Sequence, residues 1–221
     1  ELTTLNTVSH FNESTSQDIL KSVNDDGINL AIWKRPIDLR CDKILECMLC
    51  SDEETFIDTK PNLKEDIIQS LGESIGHELS PSVLAQDIWA LHQLFCLITS
   101  QDYARVRLHR IEDDMCQLFH ADSLHMRMLC TYVGQGTEWV ENHNARYDQL
   151  GSQGRTKEET NAAIVIDHDQ IHTMQPWDVG IFTGREKSGI SPLIHRSPSV
   201  LGAKEHRIFL CIDFPNTCGC S

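Results

Sequence analysis

The clearest alternation of apolar and polar positions lies near the C-terminus, in the run RIFLCIDF from residue 207 to residue 214. Arg207, Phe209, Cys211 and Asp213 share one face of this run, and every position on the other face is apolar. A two-residue period is typical of a β-strand, because successive side chains leave opposite faces of the strand. The sequence therefore predicts a strand over 207–214 that begins with a guanidinium group.

Helical periodicity marks two segments in the first half of the chain. Residues 61–74 carry an apolar stripe that begins at Leu63, which predicts a first helix. Ser80 is a good N-cap with Pro81 at the first helical position, and apolar residues recur at helical spacing over 83–98. We expect these helices to pack against the outside of a β-sheet.

Strands dominate the second half of the chain. We predict them over 104–112, 124–133, 162–166, 177–183, 193–195 and 207–214. Many short strands without interleaved helices favour a barrel or a sandwich over a parallel sheet. The polar stretch 141–161 between two of them is long enough to be a lid. The predicted class is α+β, mainly β.

The length and the distribution of polar residues indicate one main domain with an N-terminal extension. We expect residues 1–60 to be a polar extension with short elements, of which 1–28 form a loosely packed lead-in. Residues 61–221 are expected to form the helical support and a β-domain.

The charge balance and the hydrophobic pattern exclude two classes of partner. The chain has 19 Lys and Arg against 33 Asp and Glu, a net charge of -14, which disfavours binding to nucleic acid or to anionic membranes. No apolar run approaches the roughly 20 residues of a membrane span, and the first residues lack the pattern of a signal peptide. We therefore expect a cytoplasmic protein.

A candidate metal site begins with His120 and Asp122, two residues apart ahead of an apolar run. On an extended strand, both side chains leave one face with α-carbons about 6 to 7 Å apart. His195 on a later strand is a third candidate ligand. Two imidazoles and one carboxylate leave open positions on a metal, as in non-haem iron(II) oxygenases. The alternative is that His120 and Asp122 form a hydrogen-bonded structural pair.

The order of these residues, with Arg207 twelve positions after His195, resembles the iron(II)/2-oxoglutarate-dependent oxygenase superfamily. A narrower likeness covers residues 86–215. It rests on Cys116, Phe119-His120-x-Asp122, Arg127, Cys130-Thr131-Tyr132, Gly134-x-Gly136-Thr137-Glu138-Trp139 and Pro192-x-x-His195-Arg196-Ser197-Pro198. In these residues the chain resembles the domain of unknown function 1826 family.

The resemblance to the oxygenases implies a double-stranded β-helix, or jelly-roll, core. It also implies that His120, Asp122 and His195 bind Fe²⁺ and that Arg207 holds the far carboxylate of 2-oxoglutarate, with Arg127 as the alternative clamp. The substrate, a small molecule or a protein, is not indicated by the sequence. We expect Thr131, Tyr132 and Trp139 to line the pocket, because large rings with one polar atom suit a cavity wall.

Two further interpretations stay open. The chain has nine cysteines, an odd number that suits reduced thiols better than a disulfide framework. Cys47, Cys50, Cys218 and Cys220 could together form a tetrahedral Zn²⁺ site. As an alternative to the oxygenase, the same fold holds Zn²⁺ or another divalent ion without redox catalysis, and the cysteine clusters serve as delivery or storage ligands. The other interpretation is a jelly-roll that acts only as an interaction module.

Overall fold

The structure is a computed structural model that describes residues 9–75, 82–111, 117–198 and 206–214. It has a mixed α+β fold, mainly β, built around one large sheet. The strands are β1 (Phe11–Ser14), β2 (Leu30–Trp33), β3 (Thr55–Thr59), β4 (Arg105–Ile111), β5 (Met126–Val133), β6 (Glu138–Val140), β7 (His172–Thr173), β8 (Val179–Thr183), β9 (Ile194–Arg196) and β10 (Arg207–Asp213).

The described residues also form four α-helices and five 3-10 helices. The α-helices are α1 (Asp42–Cys50), α2 (Lys64–Ile75), α3 (Ser82–Thr99) and α4 (Lys157–Ile164). The 3-10 helices are Gln17–Asn24, Leu39–Cys41, Asn142–Asn144, Tyr147–Gln149 and His168–Gln170.

The strands form two sheets. The large sheet has seven strands in the order β1-β2-β8-β5-β10-β4-β3, and the small sheet has three in the order β7-β6-β9. Within the large sheet, β10 lies between β4 and β5 and is antiparallel to both. Strand β10 is therefore an interior strand of the sheet, hydrogen-bonded on both edges.

The two faces of β10 belong to different hydrophobic clusters. Ile208, Leu210 and Ile212 are fully buried in the main cluster, which also contains apolar residues of α1, α2 and α3. Cys211 lies in a second cluster with Trp139 of β6 and Leu193, which precedes β9, so we call this the intersheet cluster. Arg207 and Asp213 share that inner face, as the alternation predicts.

Most predicted elements of the second half are confirmed, with one error. The strands over 104–112, 124–133, 177–183 and 207–214 are observed with slightly shorter bounds, although residue 112 lies outside the described residues. The strand over 193–195 is observed one position later, over Ile194–Arg196. The strand predicted over 162–166 is wrong, because those residues include the end of α4. The capping box between Thr156 and Glu159 starts that helix, and local apolar content alone suggested a strand.

The first half of the chain also differs from the sequence-based predictions in two respects. The described part of the predicted lead-in is ordered into β1 and a 3-10 helix, whose Leu20 and Val23 are fully buried in the main cluster. Both predicted helices are observed, but Leu63 precedes α2 and is exposed rather than part of its stripe. Ser80 and Pro81 lie outside the described residues. The division near residue 60 stays a prediction.

Candidate metal centre

The main chain brings His120 and His195 side by side, although they are 75 positions apart. The two residues form an isolated antiparallel bridge in which each N–H donates to the carbonyl oxygen of the other at 3.0 Å. In the small sheet, His195 of β9 also lies opposite Trp139 of β6. Backbone pairing therefore sets the distance between the two imidazoles.

Asp122 completes a group of three potential metal ligands with these histidines. One ligand atom from each side chain lies within 4.8 Å of the other two. The His120 Nε2 atom is 3.3 Å from Asp122 Oδ1, and the His195 Nε2 atom is 3.8 Å from Asp122 Oδ2. Among the residues that the structure describes, this is the one group of three or more His, Cys, Asp or Glu close enough to share an ion.

Both imidazoles present the same nitrogen to the centre of this group. His120 Nδ1 lies 2.8 Å from the carbonyl oxygen of Leu118, and His195 Nδ1 lies 3.4 Å from that of Leu193. A carbonyl oxygen accepts a hydrogen bond, so Nδ1 carries the proton and the Nε2 lone pair is free. Such second contacts orient histidine ligands in metal sites.

Burial and charge set the protonation of the group. Burial lowers the pKa of His195 to about 4, although Asp122 opposes this shift, so the ring is neutral at pH 7. Burial works against the charge on Asp122, but His195, His120 and Arg127 outweigh it and hold the pKa of that carboxyl well below its usual value. A carboxylate beside a neutral imidazole is the protonation state that metal binding requires.

Arg127 lies directly behind the carboxylate of Asp122. Its Nη1 donates to Asp122 Oδ2 at 2.6 Å, while Nε and Nη2 donate to Asp213 Oδ2 at 3.2 and 2.8 Å. Its guanidinium is thus engaged by two buried carboxylates, which disfavours its predicted alternative role as a clamp. The contact with Asp122 is geometrically allowed because β5 begins only at Met126, so no unbroken strand joins the two residues.

Arg207 has a different environment. It is 1% exposed, and its Nη2 donates to Thr131 Oγ1 at 3.1 Å. Its Nε and Nη1 are buried and have no hydrogen-bond partner among the described residues. Burial lowers the pKa of Arg207 to about 10, with Glu138 acting in the opposite direction. An unpaired buried guanidinium is costly and suits an anionic ligand.

The three predicted pocket residues do not lie together. Thr131 contacts Arg207, and Trp139 belongs to the intersheet cluster, where it stacks on His172 with ring centroids 4.4 Å apart. Tyr132 does not share the pocket predicted for it. It points to the helix-covered face, where its hydroxyl donates to Asp87 at 2.7 Å. Adjacent residues of a strand face opposite sides, so Thr131 and Tyr132 cannot line the same cavity.

The four-cysteine site stays a prediction. Cys47 and Cys50 are exposed near the end of α1. Cys218 and Cys220 lie outside the described residues.

Three residues near the centre were missed by the sequence analysis. The side chain of Asn161 on α4 accepts from the Phe119 N–H at 2.8 Å and donates to the Gln117 carbonyl at 3.0 Å, which fixes the segment before His120. Asp213 holds Arg127. At Gly184, an added Cβ would lie 2.6 Å from the carbonyl oxygen of Asp122. Asp213 and Gly184 meet Arg127 and Asp122 only in the folded chain, because the segments are far apart in sequence. No local pattern therefore marks them.

The stretch predicted as a lid is folded against the same segment. The 3-10 helices at 142–144 and 147–149 and α4 occupy it. Ile164 of α4 shares a buried cluster with Phe119 and Ala121, which flank His120, and with Ile194, which precedes His195. The insertion between β6 and β7 therefore supports the backbone that carries the histidines.

The arrangement of these residues agrees with the family likeness seen in the sequence. The family model described as "Protein of unknown function (DUF1826)" matches residues 14–213. The chain belongs to this family. The DUF1826 match starts within β1 and ends with β10, so it includes the first strands as well as the candidate metal centre.

Solved structures similar to this DUF1826 protein have low sequence identity. AviO1 from Streptomyces viridochromogenes Tue57 is 12% identical, with 92% of this chain and 96% of that chain covered at a TM-score of 0.43. A bsmA homologue from Methylobium petroleophilum PM1 is 14% identical, with 88% and 90% covered at a TM-score of 0.43. The Fe(II)/(alpha)ketoglutarate-dependent dioxygenase TqaL is 14% identical, with 62% and 53% covered at a TM-score of 0.33.

A search of the curated proteins gave no match. None of the helices in the described part of this DUF1826 chain has the length and apolar character needed to cross a membrane.

Proposed function

We propose that this protein is a non-haem iron(II) oxygenase that uses 2-oxoglutarate and acts on a small molecule or a protein. The observation that carries the proposal is the combination of two features among the described residues. One is the His120, Asp122 and His195 group, and the other is the unpaired buried guanidinium of Arg207. A cytoplasmic location and the absence of a nucleic-acid partner remain predictions from composition.

The path of the chain supports a double-stranded β-helix for this domain. After β4 in the large sheet, His120 pairs with β9, and the chain then passes through β5 (large sheet), β6 and β7 (small), β8 (large), β9 (small) and β10 (large). Repeated crossing between two facing sheets is the path that a jelly-roll requires. In such a fold the ligands project from the ends of strands into the space between the sheets.

The donor set fits iron(II). Two imidazoles that turn Nε2 toward the centre, together with one carboxylate, leave coordination positions open for other ligands. When bound, an iron(II) centre of this kind supplies the redox chemistry of dioxygen activation, with 2-oxoglutarate as the reductant. The protein's own contribution is to hold the ligands, bind the co-substrate and exclude water.

The residues around the centre have separate tasks in this proposal. The carbonyl groups of Leu118 and Leu193 hold the tautomer of the two histidines. Arg207 offers Nε and Nη1 to the far carboxylate of 2-oxoglutarate, and its contact with Thr131 keeps the guanidinium in position. Apolar residues of the intersheet cluster, Leu129 and Phe182, limit access of water to the centre.

The same three ligands also suit zinc, whose affinity for such sites exceeds that of iron(II). The test therefore begins with metal analysis of protein purified without added metal. Iron(II) is then added without oxygen, in the presence and absence of 2-oxoglutarate, and the visible charge-transfer band is recorded. Admission of oxygen should produce succinate even without a substrate. If there is no band and no succinate, the oxygenase proposal fails, and firmly retained zinc would favour a metal-binding role.

A further inference from the structure

A buried ionic chain begins at the carboxylate ligand. Asp122 Oδ2 accepts a hydrogen bond from Arg127 Nη1. The Nε and Nη2 atoms of Arg127 donate to Asp213. Asp122 is 4% exposed, Arg127 9% and Asp213 0%. Since a buried ion pair is screened little by solvent, the guanidinium of Arg127 acts on its surroundings over a longer range than a surface charge does.

The position of Arg127 restricts Asp122 in two ways. Oδ2 accepts a hydrogen bond from Arg127 at 2.6 Å, which favours Oδ1, 3.3 Å from His120 Nε2, as the oxygen that binds a metal. The charge of the carboxylate is also compensated before any metal binds. The three side chains therefore present two imidazoles and a carboxylate whose charge Arg127 already compensates to an incoming cation.

A divalent cation bound there would add two positive charges close to buried Arg127. Asp213 does not offset this, because it already accepts a hydrogen bond from Arg107 as well as those from Arg127. Arg207, six positions before Asp213 on the same face of β10, adds a further buried positive charge. A dianion that contacts both the metal and Arg207 would offset this excess, because it brings two negative charges.

We propose that Arg127 makes metal retention depend on a dianionic co-substrate, so that the metal and the dianion each bind tightly only when the other is present. The inference rests on the proposed function, because it assumes that a metal and a 2-oxo acid share the centre. Arg127 is a positioning residue here, and it acts through Asp122. The coupling is reciprocal, since a factor gained by one ligand is gained by the other.

The test measures the coupling directly, using Mn²⁺ as the probe metal. The dissociation constant of Mn²⁺ is determined from the spectrum of the free ion by electron paramagnetic resonance, with and without saturating 2-oxoglutarate. The ratio of the two constants is the coupling factor. Chelation by 2-oxoglutarate contributes to this ratio in every variant, so the change in the ratio reports on residue 127.

Removal of the charge should reduce the ratio. In Arg127→Gln, we expect the Mn²⁺ dissociation constants measured with and without 2-oxoglutarate to lie closer together than in the wild type. The coupling factor should be about tenfold smaller. Arg127→Lys keeps the charge without the two-pronged contact and should retain most of the coupling. Loss of orientation of Asp122 alone would weaken Mn²⁺ binding equally in both conditions and leave the ratio unchanged.

A second measurement needs no variant. Pyruvate chelates a metal through the same 2-oxo acid group as 2-oxoglutarate but carries only one negative charge. In the wild type, pyruvate should strengthen Mn²⁺ binding several-fold less than 2-oxoglutarate does. Equal effects of the two acids, or a wild-type coupling factor in Arg127→Gln, would overturn the inference while leaving the oxygenase proposal intact. Failure of the wild type to bind Mn²⁺ in any condition would instead remove the proposed function.

Discussion

His120 and His195 are joined through their main chains, and their rings lie with centroids 4.6 Å apart at a tilt of 49°. Each residue both donates and accepts a backbone hydrogen bond across the pair. The geometry of the candidate centre is therefore built by the backbone, and replacing one imidazole should leave the frame in place. This separates the contribution of the side chains to metal binding from their contribution to the fold.

The first prediction concerns His120. His120→Ala should lose metal from the centre but change the free energy of unfolding by less than about 1 kcal/mol, because its side chain is partly exposed and its backbone bonds persist. Metal content and thermal unfolding measure the two effects. His125→Ala is the matched control, since His125 is exposed five positions away. Full metal stoichiometry in His120→Ala would remove this site from consideration.

Asp122 should behave differently, because it neutralises a buried guanidinium. Asp122→Ala is expected to lose metal and also about 3 kcal/mol of unfolding free energy, near the lower end for a broken buried ion pair, since Arg127 keeps Asp213. Asp122→Asn retains an amide oxygen for Arg127 and should be destabilised less. Denaturant unfolding of the two variants compares these costs. An alanine variant as stable as the wild type would show that the pair contributes nothing.

Arg207 gives the clearest separation of stability from function. Replacement by Met removes two buried unsatisfied nitrogens, so Arg207→Met should be at least as stable as the wild type without ligand. It should also lose the rise in melting temperature that 2-oxoglutarate produces in the wild type with Mn²⁺. Arg207→Lys is the control that keeps the charge but not the planar fork. A normal 2-oxoglutarate shift in Arg207→Met would place the co-substrate elsewhere.

The sequence could single out the candidate ligands because their residue types, and the spacing of His120 and Asp122, can be read directly from it. A histidine and a carboxylate two positions apart, and an arginine at the start of an alternating strand, can be recognised without a fold. The partner of Arg127 could not be predicted, because it depends on the register between β5 and β10. That register shifts at a bulge between Ile208 and Phe209, and a shift of one residue would turn Asp213 to the other face.

The contribution of α4 to the segment that carries His120 could not be predicted for a related reason. The apolar residues near its end suggested a strand, whereas the capping residues Thr156 and Glu159, three to ten positions before them, start a helix. Asn161 then serves a segment some 40 residues earlier in the chain, and no local pattern marks such a contact. The sequence-based interpretation therefore missed hydrogen bonds between a side chain and the backbone of a distant segment.

Asn161 should control the order of the segment that carries His120. Asn161→Ala removes both side-chain hydrogen bonds to that segment and leaves the Phe119 N–H without its acceptor. We expect a loss of about 2 kcal/mol in unfolding free energy, together with faster amide exchange at residues 117–122 and weaker metal binding. Ala162→Ser, at the exposed neighbouring position of α4, is the control. Unchanged exchange in Asn161→Ala would mean that the histidine segment is held by the sheet alone.

The last prediction concerns pH and a histidine remote from the metal centre. His92 of α3 is 2% exposed, its Nε2 accepts the Ala104 N–H at 3.3 Å, and its ring stacks on Trp89 with centroids 5.1 Å apart. Burial lowers the pKa of His92 below its ordinary value of 6.5, although the hydrogen bond from Ala104 opposes the shift. Below pH 6.5 the unfolded chain therefore binds a proton that the folded chain does not bind. The stability contributed by neutral His92 is present above that pH and is lost as the pH falls toward the lower folded-state pKa.

Urea unfolding at pH 7.5 and pH 5.0 tests this effect of His92. In His92→Gln, which can still accept the Ala104 N–H, the decrease in unfolding free energy between the two pH values should be smaller than in the wild type. The metal-free protein is used for both, so that ligand protonation at the centre contributes no metal loss. Parallel pH dependence in the two proteins would mean that His92 is protonated equally in the folded and unfolded chains, contrary to its buried position.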